Sequence, residues 1–423
     1  MSRLLETVVP ARLGRPFRWL LASSWTNHLG DGISMAGGPL LMASLTHDAF
    51  LVSLAALLGW APPLVFGLYA GVLSDRHNRR RILITANLVR VAVLVGLVVT
   101  IVTGAVTPAL ALVALGLLAS AEVFADNTSQ TLAPMLVARD DLATANARLQ
   151  TGFITLNQLV GPPIGAALFA VGRALPFAGE TLLVVAGVLL LTRVRLPHHG
   201  ASADGPARSL RRDVAEGVRW TVRHPAVRTL VLTILIFNVT FGAAWSILVL
   251  YAQQRLGLGS VGFGLLTTLG AAGGLLGTGI YGWLTRRVSL GNIMRVGLII
   301  ETLTHLALAL TTSPWLASAI FFVFGAHAFI WGTTSMTVRQ RAVPSELQGR
   351  VGSVNTICVF GGLVVGSLIG GALASRYGVT APFWFAFGGS VLFLALLWRE
   401  LTRIAHADEH PEAVEEQPAV AAA

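Results

Sequence analysis

The sequence predicts an all-α polytopic membrane protein with twelve transmembrane helices. Hydrophobic residues make up 54% of the 423 residues and charged residues only 12%, and the mean hydropathy is +0.71. A soluble protein of this length would carry about twice that charged fraction. Crossing about 30 Å of hydrocarbon takes about 20 apolar residues. Twelve such runs lie near residues 18–45, 50–74, 82–104, 108–137, 149–171, 174–193, 229–252, 259–284, 288–311, 314–338, 351–375 and 380–402.

The distribution of arginines predicts the orientation of these spans. The connections on one side hold only Arg173, Arg255 and Arg376, and Arg90 lies within a span. The rest of the 30 basic residues fall in connections on the other side or at the helix ends beside them. Basic connections stay in the cytoplasm, and an even number of spans puts both termini on one side. We therefore predict that both termini are cytoplasmic. The net charge of +10 then reflects the orientation of the spans and not nucleic-acid binding.

The longest internal connection divides the chain into two halves of six spans. We predict an N-terminal bundle over residues 1–193, a cytoplasmic linker over 194–228, a C-terminal bundle over 229–404 and a disordered acidic tail over 405–423. The latter part of the linker is basic with apolar residues at helical spacing. This pattern is typical of an amphipathic helix on the inner leaflet, or equally of a solvated linker helix.

The two halves repeat one another. Residues 161–168 match residues 366–373 at an offset of 205, and Asn27 corresponds to Asn238 at an offset of 211. A duplicated six-helix unit is typical of transporters that bind their substrate between the halves.

The connection over residues 71–81 holds one carboxylate and four arginines between two apolar runs. It resembles the loop between helices 2 and 3 of the major facilitator superfamily, with the pattern Gly-x-Leu-x-Asp-Arg-x-Gly-Arg-Arg/Lys, except that Asn78 replaces the second glycine. In that family this loop is a conformational latch. The resemblance implies the major facilitator fold and structural gating roles for Gly71, Asp75, Arg76 and Arg80.

A second motif, formed by Gly161, Pro162 and Gly165 in the fifth span, resembles the Gly-Pro-x-x-Gly-Gly signature of the family's drug:proton antiporters. Ala166 stands at the last glycine of that signature. Proline interrupts helical hydrogen bonding, and glycines permit close helix packing, here expected between the halves. With residues 139–146, 213–225 and 343–350, the chain is similar to the branch of enterobactin exporters and macrolide-efflux proteins.

Polar residues follow one face of the first span and one face of the fourth. Asn27 and Asp31 are four residues apart, and Glu122, Asp126 and Gln130 are spaced by four as well. Ionisable groups within a membrane span are functional candidates by default. The family resemblance implies that helices 1, 4, 7 and 10 line a central cavity. The predicted cavity residues are therefore Asp31, Glu122, Asp126, Asn27, Gln130, Asn238, Trp245, His327 and Trp331.

Asp31, Glu122 and Asp126 are the candidates for proton coupling or for binding a cationic substrate. A buried carboxylate can take up a proton from one side of the membrane and release it to the other. The alternative is that the three carboxylates only hydrogen-bond between helices. The helix-4 arginine that family exporters often carry is absent, so coupling is expected to use carboxylates.

Histidines are weaker candidates. His28 and His327 could relay protons because imidazole titrates near neutral pH, or could only bond between helices. Three further polar residues lie in spans that are peripheral in the family, where packing or lipid-interface roles are expected; they are Glu180, Glu301 and His305.

Together these features predict a secondary active transporter that exports small amphipathic molecules, such as drugs or siderophore-like compounds, by proton antiport and alternating access. One alternative is a proton-coupled or facilitative importer of a small metabolite, and another is a transport-dead membrane sensor. We expect no enzyme activity, cofactor or metal site, since the histidines lack metal-ligand spacing and Cys358 is the single cysteine. The expected partners are a small-molecule substrate, protons and membrane lipids, for a monomer in the bacterial inner (plasma) membrane.

Overall fold

The structure is a computed structural model and describes residues 10–194 and 210–401. The predicted acidic tail over residues 405–423 lies outside the described residues. We label the long helices α1 to α12 and name the helix Leu210–Arg223 the linker helix. The labelled helices are α1 Gly14–Leu45, α2 Ala49–Arg76, α3 Arg79–Val102, α4 Pro108–Gln130, α5 (Leu142–Gly152 and Gly161–Val171, joined by the π-helical stretch Phe153–Val160), α6 Leu175–Thr192, α7 Pro225–Trp245, α8 Ser260–Thr285, α9 Leu290–Leu310, α10 Pro314–Ala342, α11 Gln348–Tyr377 and α12 Ala381–Leu397.

Ten helices of the described chain, α2 to α11, are long and apolar enough to cross a membrane. Helix α12 is apolar but has only 17 residues, and α1 is not among the ten although it is 32 residues long. The prediction of membrane-spanning helices is therefore confirmed for these ten. The total of twelve spans and the cytoplasmic termini stay predictions.

Side-chain caps explain where several helices begin. The Asp48 carboxylate accepts a hydrogen bond from the Phe50 N–H at 2.8 Å and starts α2. A cap of this kind satisfies a backbone donor that the first helical turn leaves without a partner. Asn78, Thr107, Ser289 and Ser313 cap α3, α4, α9 and α10 in the same way.

Most helix packing stays within one half of the chain. Helix α1 packs on α5 and α6, and α3 packs on α4 and α6; in the second half α7 packs on α11 and α12, and α8 and α9 pack on α10. Two extensive contacts cross between the halves, α2 with α11 and α5 with α8. One apolar cluster draws residues from both halves, whereas the other three each belong to one half. The domain boundaries stay predictions.

The matched glycine motifs occupy equivalent positions in the two halves. Gly161 and Gly165 pack against the backbone of α1, and Gly366 and Gly370 pack against the backbone of α7. A Cβ atom at Gly161 would lie 2.5 Å from the Cα atom of Gly32. The repeat therefore conserves a close helix contact inside each half, since only glycine lets the two backbones approach this far.

The rest of the α5 motif faces the other half. Pro162 and Ala166 contact Gly264 of α8. A proline at the second position of the segment Gly161–Val171 removes a backbone donor, and the preceding residues Phe153–Val160 are π-helical. The motif thus serves two interfaces, with its glycines on α1 and its prolines on α8.

Replacing Gly165 by alanine is expected to lower the thermal unfolding midpoint, because the new methyl group would collide with the Ile33 backbone. Overpacking of this kind costs about 1–3 kcal/mol. Gly96 is the matched control, since no described atom lies within 4 Å of a Cβ atom there. Gly96→Ala should leave stability unchanged or raise it by up to about 1 kcal/mol. Equal midpoints for the two variants in detergent would contradict the close contact.

The linker helix is docked on the start of α11. The Glu216 carboxylate accepts a hydrogen bond from Arg350 Nη1 at 2.7 Å, and a Cβ atom at Gly217 would lie 2.5 Å from the Arg350 carbonyl oxygen. The opposite side of the helix exposes Val218 and Val222. Only this exposed side of the linker helix is therefore free to contact either the inner leaflet or solvent.

Candidate functional site

Three charged side chains from α1, α3 and α6 meet inside the first half. Arg90 Nη2 donates a hydrogen bond to Asp31 Oδ1 and another to Glu180 Oε1 at 2.9 Å. Asp31 is 8% exposed, and Arg90 and Glu180 are each 2% exposed. Ser34 of α1 donates its hydroxyl to Glu180 Oε2. We call Asp31, Arg90 and Glu180 the buried ion cluster; as ionised groups they carry one negative charge more than positive.

The sequence does not predict this cluster. Its pattern predicts Asp31 among the cavity residues and Glu180 in packing or at the lipid interface, and Arg90 is only the arginine that lies within a span. The burial of Glu180 excludes the lipid interface. The signal that could have found the cluster is that two carboxylates and a guanidinium lie in the interior of different spans, where each needs a partner.

A cavity of about 550 Å³ lies between α2, α4 and α11. Glu122 and Asp126 of α4 line it. Apart from Asn127, its remaining lining consists of small or apolar residues, including Pro63, Ser353 and Phe360. The volume suits a small organic molecule, and the two acids are the ionisable groups among the lining residues.

A second, much smaller cavity connects Asp126 with the buried ion cluster. It measures about 20 Å³ and is lined by Asp126, His28 and Arg90 together with serines and Asn27. This volume suffices for one water molecule. Arg90 Nε and Asn27 Oδ1 are buried and have no hydrogen-bond partner among the described residues. Asp126 therefore borders both cavities, and the smaller one forms a polar path from Asp126 to Arg90.

The remaining predicted cavity residues lie elsewhere. Gln130 is exposed at the last position of α4, beyond the end of the acid-lined face. Asn238 donates its amide to the Ile234 carbonyl oxygen at 2.7 Å and lies against Gly362 of α11. Neither of them lines the two cavities described above.

Trp245, His327 and Trp331 belong to a separate cluster in the second half. Trp245 stacks on Phe241 at a centroid distance of 4.4 Å and meets the edge of His305 at 5.9 Å. The second cluster also contains an acid–imidazole pair, because His327 Nε2 lies 3.6 Å from Glu301 Oε2. His305 is completely buried and Glu301 is 9% exposed, so packing and not the lipid interface is their environment.

Helices α2 and α11 are in tight contact at one end and separated at the other. Near Asp48, the Ser375 hydroxyl donates to the Asp48 carboxylate at 3.0 Å, and a Cβ atom at Gly371 would collide with Ser53. Toward the arginine-rich end, no described atom lies within 4 Å of a Cβ atom at Gly67 or Gly349. Helices α2 and α11 are therefore in contact at the Asp48 end, and the large cavity lies between them toward the other end.

The predicted gating loop lies at the open end. Arg80 donates to the Thr192 carbonyl oxygen at 2.7 Å and so ties the start of α3 to the end of α6. Gly71 has no described atom within 4 Å of a Cβ position. The side chains of Asp75 and Arg76 lie outside what the structure describes.

Gly71→Val tests whether helices approach at this end during the transport cycle. Because a Cβ atom at Gly71 lies within 4 Å of no described atom in this conformation, the variant should fold with an unchanged melting temperature. If the end closes during transport, the valine should reduce the transport rate several-fold. Gly96→Val is the matched control on the same half and should transport normally. An unaffected transport rate for Gly71→Val would contradict a close approach at this position.

Comparison with known proteins identifies the family. The sequence profile of a family described as "Transmembrane secretion effector" matches residues 7–423. The chain belongs to this family. It is a transporter of the major facilitator superfamily and a multi-pass protein of the bacterial plasma membrane.

Its relatives include efflux proteins of similar length. The chain is 24% identical over 386 residues to "Macrolide efflux protein A" of Streptococcus pyogenes, which covers 87% of this chain and 93% of the relative. It is 28% identical over 392 residues to "Multidrug efflux pump Tap" of Mycolicibacterium fortuitum, with 87% and 91% covered.

Solved transporter structures have the same fold as this chain. The nucleoside transporter NupG superposes with a TM-score of 0.72 at 12% identity and covers 92% of this chain and 100% of its own. A bacterial homologue of the lysosomal transporter Spinster, in an inward-facing and occupied conformation, superposes with a TM-score of 0.71 at 14% identity, with 94% and 98% covered. At these identities the likeness establishes the fold alone.

Proposed function

We propose that this transporter exports small amphipathic molecules, such as drugs or siderophore-like compounds, in exchange for protons. The observation that carries the proposal is the placement of Glu122 and Asp126 in the wall of the large cavity, next to the path that leads to Arg90. The printed names of the relatives, which describe macrolide and multidrug efflux, favour export as the direction.

Proton coupling would use the excess of acids over bases around Arg90. Asp31 and Glu180 bond the Arg90 guanidinium directly, and Asp126 lines the small cavity together with Arg90. Four carboxylates within the spans, counting Glu122, cannot all be ionised around one guanidinium at low cost, since a charge removed from water needs a partner. A cationic or polar substrate group that reaches Glu122 or Asp126 would favour the ionised carboxylate and displace its proton. Reprotonation from the other side would release the substrate.

Alternating access would use the contact between α2 and α11. In the described conformation the two helices meet at Asp48 and Ser375, and the large cavity lies between them on the arginine-rich side. Arginine-rich connections face the cytoplasm in membrane proteins, so this conformation would admit substrate from the cytoplasm. The opposite conformation would separate the Asp48 end and bring the gating loop of Gly71, Asp75, Arg76 and Arg80 into contact with its neighbours.

Everted membrane vesicles test direction and coupling together. Vesicles that contain the transporter should accumulate a radiolabelled macrolide, lipophilic cation or siderophore when respiration acidifies their interior, and a protonophore should release it. Vesicles with the same amount of the Asp126→Asn variant are the matched control and should accumulate nothing above background.

The importer alternative predicts the opposite result. Right-side-out vesicles would take up the compound under an inward proton gradient, and everted vesicles would not accumulate it. Protonophore-insensitive movement of the compound that stops at equal concentrations on the two sides would contradict proton antiport and leave a facilitator whose acids are structural.

A further inference from the structure

A second large cavity lies on the outside of the first half, at its arginine-rich end. It measures about 600 Å³ and is bounded by the end of α2, the connection to α3, and the helices α3 and α4. We call it the α3–α4 groove. Leu117 and Phe124 of α4 line the groove, whereas Glu122 and Asp126 of the same helix line the large cavity described above. At about 100° per residue these two sets occupy opposite faces of α4, so the groove faces away from the transport pathway.

The chemistry of the groove changes along its length. At the end near the connection it is lined by His77, Asn78 and Arg81, whose side chains are exposed. Further along α3 and α4 it is lined by Val89 and by Leu117, which are 45% and 50% exposed. The guanidinium of Arg81 has no ion-pair partner within the described ranges, so its charge is available to a ligand.

The dimensions fit one leaflet of a membrane. Arg81 and Val89 are both on α3 and eight residues apart, which corresponds to about 12 Å along the helix. Half of the hydrocarbon thickness is about 15 Å. A ligand with its charged end at Arg81 and its apolar end at Val89 would therefore lie like a lipid of the leaflet at this face.

We propose that the α3–α4 groove binds an anionic phospholipid. Its phosphate group accepts hydrogen bonds from Arg81 and the connection before α3, and an acyl chain lies against Val89, Leu117 and Phe124. A free anion would not need the apolar part, and a zwitterionic lipid would bring its own cation close to Arg81 and so gain less from the arginine. Charge-assisted bonds from a guanidinium to a phosphate are among the stronger ones in proteins.

Occupancy of the groove would act on the proposed gate. Leu73, His77 and Asn78 line the groove and belong to the same connection as Gly71 and Asp75. A bound lipid would hold this connection against α3 and α4 and so favour one conformation over the other. This step alone rests on the proposed function; the binding site itself does not.

Native mass spectrometry of the full-length protein in detergent tests the binding site. Dioleoyl-phosphatidylglycerol should give one tightly bound lipid, and dioleoyl-phosphatidylcholine should bind about tenfold more weakly. Arg81→Gln should weaken phosphatidylglycerol binding by about tenfold, the effect of losing one charge-assisted bond. Arg139→Gln, an exposed arginine outside the groove, is the matched control and should bind as the unmodified protein does.

The apolar half has its own pair of variants. Val89→Trp fills the groove and should prevent the tight binding, whereas Val95→Trp, at a position on the same helix that is 47% exposed and outside the groove, should not. The proposal is overturned if Arg81→Gln and Arg139→Gln bind the lipid equally, or if glycerol phosphate displaces it at equal concentration. Because none of these measurements involves transport, a failure of the proposed function would leave them interpretable.

Discussion

Arg90→Met is expected to destabilise the folded protein by about 3–5 kcal/mol and to abolish transport. Arg90 is the cation that Asp31 and Glu180 share, and all three side chains are almost completely buried. Without it two carboxylates remain next to each other in a medium that solvates charge poorly. The thermal unfolding midpoint in detergent and substrate transport in proteoliposomes measure the two effects.

A neutral version of the cluster separates stability from function. The combination of Arg90→Met with Asp31→Asn and Glu180→Gln removes all three charges, and replacing a buried ionic group as a whole is often neutral for stability. We expect this variant to recover most of the lost stability and none of the transport. If Arg90→Met alone is as stable and as active as the unmodified protein, the buried ion cluster has no role in either.

Glu122→Gln and Asp126→Asn are expected to reduce proton-driven exchange to the level of liposomes without protein. Both carboxylates line the large cavity, and an amide cannot carry a proton in the exchange. Folding should be preserved, because each replacement removes a buried charge and keeps the shape of the side chain. Proton movement and uptake of a labelled substrate in proteoliposomes measure the loss.

Ser353→Ala is the control for this pair, since Ser353 lines the same cavity from α11 and does not titrate. It should retain proton-driven exchange. Loss of exchange in all three variants would indicate general damage to the cavity, and full exchange in both acid variants would exclude Glu122 and Asp126 as proton carriers.

The helices were largely predictable because a membrane dictates their length and composition. The run predicted near residues 174–193 is observed as Leu175–Thr192, and the run near 259–284 as Ser260–Thr285. The seventh run was predicted to continue to residue 252, but α7 ends at Trp245 and is followed by a short helix and the π-helical stretch Tyr251–Arg255. Apolar composition does not predict where such a helix ends, since the backbone hydrogen-bond pattern changes while the residues stay apolar.

The candidate site was predictable only where one helix carries it. The spacing of Glu122 and Asp126 predicted a shared face, and both line one cavity. The partners of Asp31 were not predictable, because helical periodicity tells which residues share a face and not which helices meet. Arg90 reaches Asp31 from α3, and Glu180 of α6 bonds the same guanidinium. Gln130 continues the spacing by four but lies where α4 ends, so it is exposed.

Proton release on substrate binding tests the central claim most directly. The purified transporter in weakly buffered detergent solution is mixed with a transported compound, and a pH indicator records protons displaced without any transport step. The account predicts a release that scales with occupancy and disappears in Glu122→Gln or Asp126→Asn. Saturable binding without proton release, at every pH between 6 and 8, would contradict exchange of substrate for protons at this cavity.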